Sequence, residues 1–136
     1  MKIKLTEDQT VQYLINYLEN SGWHVGENFC LGQKHGIDIK ATKGDDVMLV
    51  EVKGAKAGDA SPNKVREHFD SGQIKTHFGK AIVKMLHEKS LNPDAMLAIA
   101  HPDDEDIKRS ISHMVPFLKD LGITHYWVSE NNITMQ

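Results

Sequence analysis

Cysteine is almost missing from this chain of 136 residues. The single Cys30 excludes an internal disulfide and any cysteine-rich zinc centre, and it reads as a small buried apolar residue. The eight histidines offer no substitute, because no two of them have the three- to five-residue spacing of zinc ligands. Long apolar runs are also missing. No stretch of 18 apolar residues occurs, which excludes a membrane-spanning helix. The opening segment, Met1 to Asp8, turns polar too early for a secretory signal, so a cytoplasmic protein with no membrane partner is expected. Repeats and low-complexity tracts are absent.

What is present suits one folding unit spanning residues 1–136, since 40% of residues are hydrophobic. The net charge of −3 is not that of a general nucleic-acid binder, but the charge is unevenly spread. Residues 1–52 carry five Lys/Arg against eight Asp/Glu, residues 53–90 eight against four, and residues 91–136 three against seven. A phosphate backbone would meet the basic middle third.

The hydrophobic pattern alternates between helix and strand. Thr6 and Gln9 form a capping-box pair ahead of Val11, Leu14, Ile15 and Leu18, which share one helical face. Gly22 ends that helix. Trp23 to about Cys30 reads as a strand. Residues 37–42 and 47–53 are β-branched runs around Lys43-Gly44-Asp45-Asp46, the signature of a tight hairpin. The second run is apolar on both faces until Glu51, as in a central strand covered by helices on each side. After a loop from Gly54 to Asn63, a helix is expected from Gln73 to about Lys89, with Ile74, Phe78, Ile82 and Leu86 inward beside Ala81 and Met85. Met96 to Ala100 is a buried strand, and Asp103 to Asp106 form the acidic start of a last helix. That helix should break near Pro116 and stop at Gly122, before a strand over residues 123–129. The order α-β-β-β-α-β-α-β with a central hairpin predicts a mixed sheet carrying helices on both faces.

The hairpin also gathers charged residues. A two-residue loop at Gly44-Asp45 sets Asp38 directly opposite Glu51, with Cβ atoms about 4.5–5.5 Å apart. Two like charges so placed call for compensation, and a divalent cation with oxygen ligands supplies it. Lys53 follows Glu51 by two residues and projects from the same face. A cation there polarises a phosphoryl oxygen and makes hydroxide available near neutral pH, while an ammonium stabilises charge building on the phosphoryl group.

Gly36-Ile37-Asp38-Ile39 followed by Val50-Glu51-Val52-Lys53-Gly54 resembles the PD-(D/E)XK core of the restriction-endonuclease-like nucleases. Asp38 matches the first acid, Glu51 the second and Lys53 the lysine; Ile37 stands where the motif's proline would be, in the style of Mrr-like restriction enzymes and archaeal Holliday-junction resolvases. The resemblance covers roughly residues 6–101 and implies the restriction-endonuclease-like α-β-β-β-α-β core. It implies Mg²⁺- or Mn²⁺-dependent hydrolysis of phosphodiester bonds, most often in DNA. Asp38, Glu51 and the backbone carbonyl of Val52 would hold the metal, with Glu7 as the acid that many members carry on the first helix. Glu19 is a poorer choice for that acid, and Gln12 stands near the position where Mrr-like enzymes have a glutamate. Some members use a glutamine on the helix after the lysine, which makes Gln73, Lys75, His77 and Lys80 candidates for nucleic-acid contact, with His35 lining the cleft.

Two other readings compete with an active nuclease. One is a non-catalytic subunit of the same fold that binds nucleic acid or protein. The other is a metal-dependent enzyme acting on a non-nucleic substrate, for which no pocket motif is present. A chain of this size has no evident specificity domain, so a homodimer or a place in a larger complex is expected.

Overall fold

The computed structural model describes residues 4–26, 37–56 and 69–136. Helix α1, Glu7–Asn20, starts at the expected capping box: Thr6 Oγ1 accepts from the Gln9 N–H at 3.2 Å, and Gln9 Oε1 accepts from the Thr6 N–H at 2.9 Å. The short strand β1, His24–Val25, leads to the hairpin of β2, Ile39–Lys43, and β3, Asp46–Val52. Helix α2 then runs Ser71–Leu91, and β4 runs Met96–Pro102. Helix α3, Glu105–Ile111, a 3-10 helix over Val115–Leu121, β5 over Ile123–Val128 and β6 over Ile133–Met135 complete the described elements.

All six strands form one sheet in the order β1-β2-β3-β4-β5-β6. β1, β2 and β3 are mutually antiparallel neighbours, β3-β4 and β4-β5 are parallel, and β6 returns antiparallel to β5. The hairpin register is the expected one. Lys43 pairs with Asp46 across Gly44, whose φ of 62° gives the left-handed turn that glycine adopts without strain.

Two apolar layers cover the sheet. On one face Val11, Leu14 and Leu18 of α1 pack on Ile39, Met48, Val50, Val52, Ala98 and Ala100. On the other, Ile74, Phe78, Ala81 and Met85 of α2, with Ile107 and Ile111 of α3, pack on Leu49, Leu97, Ile99 and Trp127. β3 is buried on both faces because it lies inside the sheet beneath both layers. The acidic start of α3 acts as a cap: Asp104 Oδ2 accepts from the N–H groups of Asp106 and Ile107. The same acids hold Lys4, whose Nζ lies 2.8 Å from Asp104 and 2.9 Å from Asp106.

Several boundaries differ from the sequence reading. The last helix divides into α3 and the 3-10 helix just before Pro116, since a proline ring cannot follow a continuing α-turn. β6 was not expected; its residues Ile133 to Met135 are half-buried or exposed, as suits a short edge strand. Leu86 points to solvent although its spacing of four continued the row of Ile74, Phe78 and Ile82. Each step of four turns about 40° beyond a full circle, so three steps carry the row off the buried face. The later part of the strand expected from Trp23 to Cys30 lies outside the described residues, as do Cys30 and His35.

Gly79 sits on the exposed side of α2, and an added Cβ there would meet nothing within 4 Å. Close helix–sheet packing therefore does not account for this glycine. Gly79→Ala should stabilise the protein by ~0.5–1 kcal/mol, read as a higher urea midpoint with unchanged slope.

Candidate functional site

Asp38, Glu51 and Lys53 come together where β2 begins and β3 ends. The last bridged pair of the hairpin is Ile39 with Val50, so Asp38 and Glu51 are the next pair outward. Asp38 is in a bend rather than in the strand, and its side chain continues the bonding: Oδ2 accepts from the Val52 N–H at 2.8 Å. Glu51 lies on the α2 face of β3, in step with Leu49, and is only 5% exposed. Its Oε2 is 3.4 Å from Lys53 Nζ.

Burial in contact with Glu51 changes the protonation of Asp38. Asp38 is pushed up to about 7, first by burial and next by the charge of Glu51, while the Val52 N–H works against the rise. Asp38 therefore holds its proton to a far higher pH than an ordinary carboxyl.

Helix α1 closes the site from the side, and Gly54 sets how near it comes. A Cβ on Gly54 would collide with the backbone nitrogen of Glu7 and lie 2.9 Å from the carbonyl carbon of Thr6. The Ala55 N–H donates to the Leu5 carbonyl at 2.8 Å and ties the segment after β3 to the residues before α1. Glu7 is thereby half-buried, and its carboxyl is raised by that burial; Lys53 and Lys84 lower it, while Glu51 and Asp8 raise it further. Glu19 and Gln12 are exposed on α1, with Glu19 near its far end, so Glu7 is the first-helix acid that the fold brings to the strand ends.

Helix α2 adds a residue that the sequence reading missed. Lys84 Nζ lies 2.9 Å from Glu51 Oε1, yet off the line of a hydrogen bond, so this buried oxygen is paired by charge and has no hydrogen-bond donor. Lys84 follows His77 by seven residues, about two helical turns, and so continues its stripe along the helix. That spacing was the available signal. His77 is half-buried with its ring edge-on to Phe69 at 4.7 Å, and burial, then Lys53 and Lys80, lower its pKa. Lys75 and Lys80 are exposed. Gln73 has a structural duty: with Asp70 it forms the capping box of α2, its Oε1 accepting from the Asp70 N–H at 2.9 Å.

Next to Lys53, on the same face of the sheet, β4 and β5 bury His101 and His125 with ring nitrogens 2.8 Å apart. His101 Nε2 and His125 Nδ1 have no hydrogen-bond partner, so either tautomer leaves one buried donor and one buried acceptor unpaired. Burial above all holds both rings below the ordinary histidine value, with His125 at about 3.

The carboxylate contact, the buried Glu51 oxygen without a donor and the hard oxygen donor set suit Mg²⁺ or Mn²⁺. Among the described residues no three His, Cys, Asp or Glu side chains converge as a ready metal cage. Mg²⁺ does not need one, since it is commonly held by one or two carboxylates with water and substrate phosphate.

No protein-family model matches the chain, and no curated protein does. Two solved structures share its fold. One is an XisH family protein from Nostoc punctiforme, with a TM-score of 0.55 and 16% sequence identity over 92% of this chain and 95% of that one. The other is an FdxN element excision controlling factor protein from Anabaena variabilis, with the same TM-score, identity and coverage. The fold is a mixed α/β arrangement that matches these structures and is consistent with a restriction-endonuclease-like fold. Among the described residues no helix is long and apolar enough to cross a membrane.

Two measurements follow from this geometry. Gly54→Ala should cost ~1–3 kcal/mol of stability, because the obstacle is backbone that cannot rotate away; urea unfolding reads this directly. The second concerns pH. The histidine pair stays neutral in the folded state while unfolded histidines gain protons below about 6.5, so stability is whole above that pH and falls beneath it. Each ring contributes a slope of up to ~1.4 kcal/mol per pH unit. Asp38 acts the other way, losing stability as pH rises from 3.8 to about 7. Asp38→Asn should therefore steepen the acid loss, and replacing both histidines by leucine should flatten it, in urea midpoints taken between pH 7.5 and 5.

Proposed function

We propose that this protein is a divalent-metal-dependent nuclease that hydrolyses phosphodiester bonds, with DNA as its substrate. The observation that carries the reading is the pairing of Asp38 with Glu51 at the strand ends, with Lys53 3.4 Å from Glu51 on the same face. Few structural purposes justify burying two touching carboxyls beside a lysine, whereas phosphoryl transfer uses all three. The shared fold with an XisH family protein supports the reading at the level of architecture, and the description of the second neighbour as an excision controlling factor favours DNA over RNA.

In this proposal Asp38 and Glu51 hold the cation, with the Val52 carbonyl as a further oxygen and Glu7 at the margin. A cation bound there supplies Lewis-acid polarisation of the phosphoryl group. Lys53 stabilises the charge that develops on the phosphoryl oxygens. Lys75, His77 and Lys80 lie on α2, the helix over the same face, where they can follow the phosphate backbone; Gln73 contributes by fixing the start of that helix.

A non-catalytic binding subunit is the second reading. It draws on the fact that both oxygens of Glu51 already face ammonium groups, those of Lys53 and Lys84.

Cleavage of linear, circular, single-stranded and branched DNA, and of RNA, is to be assayed with Mg²⁺, Mn²⁺ or EDTA. We expect metal-dependent cutting of DNA that falls by at least ~10²-fold in Asp38→Ala, Glu51→Ala and Lys53→Ala, with circular dichroism unchanged. Binding of the same substrates with no cutting under any metal would favour the second reading. Cutting that survives all three substitutions would exclude the site.

A further inference from the structure

We infer that Lys84 is a tethered counter-ion that occupies Glu51 in the metal-free protein and must be exchanged for the divalent cation; this rests on the metal-site reading above. Three observations lead there. First, Glu51 is 95% buried, with relative exposure of 5%, and Lys84 Nζ lies 2.9 Å from its Oε1. Second, the other oxygen is taken by Lys53 at 3.4 Å, so a cation bound to Glu51 has to displace or share one of two ammoniums. Third, Oε1 receives no hydrogen bond despite its burial. Lys84 thus neutralises that oxygen by proximity, and an ion pair without an aligned hydrogen bond holds less firmly than one with it.

The two lysines have different tethers. Lys53 is the first residue after β3 and its N–H donates to the Ala100 carbonyl at 2.9 Å, so its backbone is fixed beside the carboxylate and its side chain keeps only 19% exposure. Lys84 reaches across from α2 on four methylenes, and its side chain keeps 29% exposure. It can withdraw toward the exposed face that carries Lys80 without moving the backbone. In the exchange a divalent cation enters and the ammonium leaves the carboxylate still protonated, so the ion pair opens, no covalent bond is broken and the charge facing Glu51 rises by one unit. Without a metal, Lys84 keeps the buried carboxyls from facing each other with too little compensation. With a metal, its departure is the cost that sets the affinity.

Isothermal titration of the full chain with Mn²⁺ in the absence of nucleic acid tests this, using wild type, Lys84→Met, Lys84→Arg and Glu51→Gln. Lys84→Met keeps the apolar stem and removes the charge, so it should bind Mn²⁺ about fivefold more tightly. Lys84→Arg should stay near wild type, and Glu51→Gln should lose binding. A lysine that merely supported the fold would give the opposite sign, with weaker binding in Lys84→Met. Unchanged or weaker affinity in Lys84→Met, with wild-type binding that still requires Glu51, would overturn the counter-ion role alone. No Mn²⁺ binding by wild type, or binding indifferent to Glu51→Gln, would overturn the metal-site reading and this inference with it.

Discussion

Two carboxylates that repel each other are held in contact at the end of the β2–β3 hairpin, and most of the surrounding chemistry answers that repulsion. Asp38 gives one oxygen to the Val52 N–H, which turns an unfinished strand ladder into a partner for negative charge. Lys53 supplies a cation from the strand itself and Lys84 one from the helix above. Burial first, and the charge of Glu51 second, still raise the protonation range of Asp38. Even the approach of α1 belongs to the same problem, because Gly54 lets the positive end of the helix come close to the strand ends.

The histidine pair poses the reverse difficulty on the neighbouring strands. Two rings are buried where neither tautomer satisfies every nitrogen; burial keeps both from taking up a proton, and Lys53 close by further discourages His101. The α2 face of the sheet thus holds a fixed cation between a cluster that attracts protons and one that refuses them. A change at Lys53 disturbs both neighbours.

Much of this was legible before any coordinates. The Gly44-Asp45 loop has few ways to close, so it fixed the register of β2 and β3 and with it the meeting of Asp38 and Glu51. The capping pair at Thr6 and Gln9 and the break before Pro116 follow from equally local chemistry. What escaped the reading depends on contacts between elements distant in sequence. Lys84 meets Glu51 across 33 positions of chain, and its two-turn spacing from His77 marks the helix stripe but not the carboxylate it meets there. Gly54 reads in the sequence as a loop glycine, since the backbone of Glu7 that requires it lies far away in sequence. His101 and His125 are alternate residues of ordinary buried strands, and only the parallel pairing of β4 with β5 sets them side by side.

The two-residue loop at Gly44 acts as a ruler for a site about 17 Å away along the hairpin, at ~3.4 Å per strand residue. Exposed loops usually tolerate changes in length, and by accessibility alone this one would be chosen to receive a tag or a grafted peptide. Here one inserted residue that slipped the pairing would send Asp38 to the opposite side of the sheet, into the apolar layer under α1. The exposed side chain of Asp45 is not held by packing, whereas the two-residue length of the turn is held by the pairing on either side of it.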